Sequence, residues 1–401
     1  MSFHFEENHV AGSPRDFMEV SHLKLRGSNY EIGRKLADIA RERHDVRKVP
    51  HTDPLRTRAQ LKWLEVNYPI HLKRMRGVAD SYGMEPDNYE VDFAHLNYLM
   101  GLPGCSAIYY PPDTTESEHG ILSRTFDFPV GTFKGALGVV PEHSEQPSTS
   151  RPYIMEVYPD KGYPALFLSI FDLLGSCMDG INSEGLTVAL VADHESIMKR
   201  RIEPSELNAV GLAEIQITRM IMDTCANVEE AKMALLTTKQ YYRFIPLHFL
   251  IADRFGKSFL WEYSFFHNRE YILDGEPGKP QVKTNHPLHK YRTLDKLPKH
   301  SAPDHTYNRF RILDSLIGGH TGRFTEDEIW DITRCNQMTA DDPDSPNNKL
   351  EYPWRTMWHN VYDIDRRSMK VDFFMGDKPD AENSNKIKSI RSDRSEFQLE
   401  V

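Results

Sequence analysis

Apolar positions in the first hundred residues recur at helical spacing. In YEIGRKLADIARER, Ile32, Leu36, Ile39 and Ala40 share one face, with Ser28 or Asn29 set to cap the start. Leu61, Trp63 and Leu64 open a second helix, which Pro69 ends or kinks. A third is expected after Pro86, with Phe93, Leu96 and Met100 on one face, before the breaker cluster Gly-Leu-Pro-Gly at 101–104. At Cys105 the period shortens. CSAIYY and GILSRTFDF read as strands paired across the turn-rich PPDTTESEHG. PYIMEVY, ALFLSIFDLL, LTVALVA, HFLIAD and SFLWEY follow, some apolar throughout as strands buried on both faces are. Helical signals return over 205–237, where Asn227 precedes Glu229 and Glu230, and at Thr325 and Glu328, spaced as a capping box. MWHNVYDI and MKVDFFM are the last strands, and 379–401 reads as a loose polar tail. The pattern predicts a layered α+β fold, mainly helical over 1–104 and strand-rich over 105–378.

At 401 residues the chain can bury a large core, as one large domain or two packed ones. Its hydrophobic content of 39% and aromatic content of 11% are those of an ordinary folded protein. A formal charge of −10 with no basic stripe repels phosphate backbones, which sets nucleic acid aside as a partner. No run of about 18 apolar residues occurs, so no membrane partner is expected. The opening MSFHFEENHVAGSPRDF has no apolar signal-peptide core. The four cysteines, Cys105, Cys177, Cys225 and Cys335, form no CxxC pair, which argues against a zinc ribbon or a disulfide scaffold. A reducing cytoplasm is the expected location, where a free thiol can act as a nucleophile. Cys177, Cys225 and Cys335 read as inert core thiols.

Gly104 and Cys105 stand where the helical region gives way to strand. A glycine carbonyl has no side chain to shield it, and glycine tolerates unusual backbone angles. The neighbouring thiolate can attack that carbonyl and form a thioester that water opens. The product is an N-terminal Cys105 with both thiol and amine. A free α-amine has a reference pKa of roughly 7.7–8.0, so it can accept a proton near neutral pH without help from a histidine. Taken alone, a Gly-Cys pair is more often structural. Arg124 and Asp127 read equally well as a strand-end ion pair, Asn285 as a loop cap and Arg309 as a solvated helix charge.

GCSAIYY, GILSRTFDF, DGINSEGLTVAL, KTNHP and NRF, in that order, resemble the N-terminal-nucleophile (Ntn) amidases of the choloylglycine hydrolase and penicillin V acylase type. The long lead segment, with LKLRGSNYEIGRKLA, is more specifically similar to the autoproteolytic branch that includes acyl-coenzyme A:isopenicillin N (6-aminopenicillanic acid) acyltransferase. The resemblance runs from about residue 22 to about residue 375. It implies a four-layer α-β-β-α sandwich, with 105–378 as the catalytic domain and 1–104 retained after cleavage as a small chain, in a zymogen that processes itself. It also implies Cys105 as nucleophile, with its own amine as base. Arg124 and Asp127, in an R-x-x-D pattern, would flank it, one lowering the thiol pKa and the other accepting from the amine. Asn285 would donate to the oxyanion, a contact worth roughly 2.7–4 kcal/mol. Arg309 would lie near the nucleophile.

One departure stands out. The bile-salt enzymes carry a second asparagine, and counting from Asn182 reaches Ala192, beside Asp193 and His194. The second oxyanion donor is then a backbone N–H or a neighbour, while Asn182 reads as a turn residue. No organic cofactor or metal is implied, and Pro287 between His286 and His289 breaks any regular metal-binding face. The implied substrate is a linear non-peptide amide or an acyl thioester, although no phosphate-cradling glycine loop supports the latter independently. A further homo-oligomer is compatible with this reading. Two alternatives stay open. A papain-like thiol enzyme would use His248 or His286 on an uncut chain, although Cys105 opens a strand rather than a helix. A non-catalytic binding protein on the same fold would leave Cys105 unreactive.

Overall fold

The computed structural model describes residues 2–99, 104–136, 145–199, 209–243, 245–264, 269–299, 305–380, 383 and 386–400. It opens with an antiparallel hairpin of β1 (His4–Gly12) and β2 (Glu19–Gly27). The lead segment is therefore not helical at its start. β1, HFEENHVAG, has a single buried residue, Ala11, and too few apolar residues to signal an alternation. Helix α1 (Asn29–His44) follows, closed at its start by a capping box between Ser28 and Glu31. Helices α2 (Pro54–Asn67) and α3 (Pro69–Ser81) meet at Tyr68. Pro69 cannot continue α2, but it suits the first turn of α3, where its missing N–H has no helical partner to lose.

The helix expected after Pro86 does not form, and Met100 lies outside the described residues. Its backbone donors go elsewhere: Ala94 N–H to Asp92 at 2.8 Å, Leu96 N–H to Asp172 at 2.7 Å and Tyr98 N–H to the Phe171 carbonyl at 3.0 Å. Such local and tertiary acceptors compete with helical pairing. The chain continues as the hairpin β3 (Gly104–Tyr110) and β4 (Ile121–Pro129), then α4 (Phe133–Ala136). β5 (Tyr153–Pro159), β6 (Ala165–Ser169), β7 (Asp179–Asn182) and β8 (Leu186–Ala192) lead to α5 (His194–Lys199). β9 (Leu212–Ala213), α6 (Glu214–Thr224), α7 (Val228–Thr237) and β10 (Gln240–Tyr241) come next, with Asn227 capping α7 as expected. Residues 205–208 of the expected helical stretch lie outside the described residues.

β11 (Leu247–Asp253), β12 (Ser258–Ser264), β13 (Arg269–Asp274) and β14 (Gln281–Lys283) precede α8 (Thr306–Gly319) and α9 (Glu326–Arg334). The predicted capping box at Thr325 and Glu328 opens α9. β15 (Trp354–Asp363) and β16 (Ser368–Pro379) form the last long hairpin. The tail is not loose: β17 (Ile387–Arg391) and β18 (Ser395–Gln398) pair along the free edge of β16. Their mixed charged and apolar residues suit an edge with one wet face.

Among the described residues, one sheet of nine strands runs β1-β2-β5-β6-β7-β8-β11-β12-β13. A second, of seven, runs β14-β3-β4-β15-β16-β17, with β18 also on β16. Only β2–β5 is parallel within them; β9 and β10 form a separate parallel pair. Helices α1, α6 and α7 pack on the nine-stranded sheet, with α3 on α1, while α8 and α9 pack on the other, and β3 lies against β8 and β11. The layers run helix, sheet, sheet, helix, the four-layer α-β-β-α order that the resemblance implies.

Alternation along the central hairpin divides the core. Cys105, Ala107, Tyr109, Leu122, Phe126 and Phe128 join the large core shared by the two sheets and by the lead segment. Ile108, Tyr110 and Ile121 join Leu313, Ile329 and Trp330 beneath α8 and α9. A strand buried on both faces sends alternate side chains into different layers. That alternation positions the groups described next.

Candidate active site

Gly104 pairs with Asp127 and Cys105 with Phe126 across the β3–β4 ladder. A Cβ on Gly104 would stand 3.0 Å from a ring atom of Trp354 and 3.4 Å from the Asp127 Cβ, so any side chain here would press on the Trp354 ring, which would have to shift by a few tenths of an ångström. Cys105 is fully buried. Period-two geometry turns its thiol, like Arg124, into the space between the sheets. There Arg124 Nη2 donates to the Cys105 Sγ at 3.1 Å. Burial pushes the Cys105 thiol up, and Arg124 beside it opposes that shift in part.

Arg124 is itself enclosed. Nη2 also donates to the Leu190 carbonyl at 2.7 Å, and Nη1 to the Met178 carbonyl at 2.5 Å and to the Asp179 carboxylate. These acceptors belong to the opposite sheet or lead into it, so the guanidinium bridges the sheets directly behind the Cys105 thiol.

The backbone of Cys105 is held from the other side. Its N–H donates to Asn285 Oδ1 at 2.8 Å, and its carbonyl accepts from Arg309 Nη1 at 2.6 Å. Arg309, nearly buried on α8, also reaches Ser106 Oγ at 2.7 Å and Asn285 Oδ1 at 2.6 Å. Asn285 Nδ2 donates to the Ala192 carbonyl at 2.9 Å. Ala192, where the second asparagine is missing, thus supplies an acceptor that fixes the first. The loop bearing Asn285 is pinned further by His194 N–H on the Asn285 carbonyl at 3.1 Å and by Lys283 on the His286 carbonyl at 2.6 Å. Buried Glu262 accepts from Lys283, and from the N–H groups of Leu288 at 2.7 Å and His289 at 2.9 Å.

Asp127 is on the opposite face of β4 from Arg124. Thr356 Oγ1 donates to its Oδ1 at 2.6 Å, and Arg309 Nη1 lies 3.7 Å from its Oδ2. A β-bulge between Thr356 and Trp358 sets this pairing. All five predicted site residues therefore gather at the start of β3. Arg309 is not a solvated helix charge, and Arg124 and Asp127 do not pair with each other as strand-end ions.

The sequence reading missed Asp179, Ser106 and Thr356. Asp179 lies inside the quoted DGINSEGLTVAL, yet one carboxylate in a turn-rich strand end gives no signal of its own. Asn182 acts as a turn residue: its side chain accepts from Glu184 and Leu186 N–H, each at 3.1 Å, and donates to the Met222 and Cys225 carbonyls at 3.1 and 2.7 Å. Cys335 is exposed rather than a core thiol, because it ends α9, while Cys177 and Cys225 are buried. The two histidines considered as activators have other neighbours. His248 faces Asp193 at 3.4 Å and Glu262 at 3.8 Å. His286 Nδ1 meets Thr284 at 3.2 Å and Thr306 at 3.0 Å, and burial pushes its ring down to about 3. His289 Nδ1 lies 2.7 Å from Glu262.

Among solved structures, the chain is similar to a mutant conjugated bile acid hydrolase from Clostridium perfringens. Identity is 16% over 74% of this chain and 97% of that one, with a TM-score of 0.47. It is also similar to penicillin V acylase from Agrobacterium tumefaciens, at 17% identity over 67% of this chain and 82% of that one, with a TM-score of 0.43. No curated protein sequence matches the chain. Residues 115–318 match the model of acyl-coenzyme A:6-aminopenicillanic acid acyl-transferase, a span that starts after Cys105 and includes Arg124, Asp127, Asn285 and Arg309. With half of its length matched, the chain belongs to the acyl-coenzyme A:6-aminopenicillanic acid acyl-transferase family.

Proposed function

We propose that the chain cuts itself between Gly104 and Cys105, and then uses the Cys105 thiol to cleave a linear non-peptide amide or to transfer an acyl group through a thioester. One observation carries this reading. Arg124, Asn285 and Arg309, from three separate stretches of sequence, each hydrogen-bond a different atom of Cys105: thiol, amide and carbonyl. A structural cysteine needs no such attendance.

In the first turnover Cys105 Sγ adds to the Gly104 carbonyl. The C–N bond breaks, the departing nitrogen keeps the thiol proton, and water opens the thioester to a Gly104 carboxylate. The freed α-amine is then the base for an incoming substrate. Arg124 stabilises negative charge on sulfur. Asn285 Oδ1 already accepts from the Cys105 nitrogen and stays in reach to orient the new amine. One Nδ2 hydrogen is taken by the Ala192 carbonyl, which leaves the second for the oxyanion.

A p-nitrophenyl ester of a short fatty acid is the probe. A covalent acyl group is expected on Cys105, mapped by peptide mass. Asn285→Ala should slow its formation about 10²- to 10³-fold, as loss of one oxyanion donor does. Labelling elsewhere, or an unchanged rate in the variant, would sink the reading. Challenging the trapped acyl group with amines against water separates transferase from hydrolase. The described cysteines are all free, and no helix among the described residues is long and apolar enough to cross a membrane. We assign the enzyme to a reducing cytoplasm.

A further inference from the structure

A second charge stands behind the nucleophile. Asp179, fully buried on β7, pairs with Arg124 on the side away from Cys105. Its Oδ1 accepts from Tyr362 OH at 2.7 Å and from Asn360 Nδ2, and its Oδ2 from Trp358 Nε1 at 3.3 Å as well as from Arg124. β15 therefore contributes three side chains to one carboxylate, all aimed between the sheets at residues 358, 360 and 362. Such a cage suits an acceptor-only, charged group. Building it solely to join two sheets is costly, since buried ion pairs add little net stability over apolar packing.

We propose that Asp179 is a positioning residue for the nucleophile: it fixes the Arg124 guanidinium from behind and takes up part of its charge, so that Cys105 rests as a thiol until its own amine removes the proton. The inference rests on the reading of Cys105 as the nucleophile. A fully uncompensated arginine at 3.1 Å would favour a standing thiolate, a weaker partner for the amine. The charged and titratable groups around Cys105 are Arg124 on the thiol's side of β4, Asp127 on the other side of that strand, and Arg309 from α8 at the Cys105 carbonyl. Those facing Asp179 are Arg124, Tyr362 from β15 and Cys177, with Arg219 and Asp223 of α6 beyond Cys177.

The test is a pH titration of the full chain carrying cysteine labelled with carbon-13 at Cβ. The Cys105 signal is assigned by its loss in Cys105→Ala. In the parent protein it should report a thiol at pH 7. Asp179→Asn should lower its midpoint by about one pH unit or more, as removal of a charge facing a buried cation does. Tyr362→Phe takes a donor from Asp179, strengthens its hold on Arg124 and should move the midpoint up by about a few tenths of a unit. A purely structural role gives no such opposite signs. A thiolate in the parent at pH 7, or midpoints that fail to move in these directions, overturns the proposal. If Asp179→Asn does not fold, the parent state and Tyr362→Phe still decide. The titration is readable in cut or uncut protein, and intact mass of the same samples reports separately whether self-cleavage occurs.

Discussion

Cys105→Ala is expected to yield one uncut chain with acyl-transfer and amidase activity reduced on the order of 10⁴-fold or more, as loss of a nucleophile does. The substitution removes a sulfur and almost nothing else. Arg124 loses the thiol as an acceptor but keeps the Leu190 and Met178 carbonyls and Asp179. The Cys105 N–H and carbonyl keep Asn285 and Arg309. The fold should therefore survive with a small stability change, which makes the result interpretable. Intact mass and activity with the p-nitrophenyl ester check it. Activity near the parent level would instead support a site elsewhere.

Asp223→Ala should have the largest effect on stability, about 3–5 kcal/mol, because it leaves buried cations without their counter-charge. Arg74 donates to the Asp223 carboxylate at 2.5 and 3.0 Å, Arg219 at 3.3 Å, and Tyr68 OH also donates. Arg74 and Tyr68 lie ahead of the proposed cut, and Arg219 and Asp223 behind it. The cluster and the β2–β5 ladder, Ser21 to Gly27 along Tyr153 to Pro159, are what would hold a released small chain in place. Burial works against charge on Asp223, yet Arg219 and Arg74 hold its carboxyl well below the usual range. Its folded value is thus below its unfolded value, near 3.9. The contribution is fully present above about pH 4 and is lost as pH falls toward the folded value. Denaturant melts at pH 7 should show the full difference between parent and Asp223→Ala, shrinking in acid. Equal melts at pH 7 would contradict the assignment.

Much of the fold was legible because burial writes a period into the chain. The doubly buried strands β3, β8 and β11 are apolar almost throughout, α1 shows its start by the cap candidate Ser28, and α9 announces itself by a capping box. What escaped was structure defined by its neighbours. β1 becomes a strand because β2 offers an edge, and β17 and β18 because β16 does. The helix expected around Phe93 to Leu96 yields to Asp92 and Asp172, whose side chains take the backbone N–H groups. The site followed the same division. Arg124 sits inward because Leu122 and Phe126 do, a matter of alternation. Asp179, Thr356 and Ser106 act through partners tens to hundreds of residues away, and nothing local in the sequence marks such contacts. The resemblance supplied Asn285 and Arg309. It did not supply the orientation in which Asn285 turns its oxygen to the Cys105 N–H and its nitrogen to Ala192.

The most direct test of self-cleavage is the intact mass of the purified wild-type protein under denaturing conditions, with sequencing of the larger fragment's N-terminus. Two chains are predicted, one ending at Gly104 and one beginning with Cys105. A single active species of the full 46.4 kDa would contradict the account.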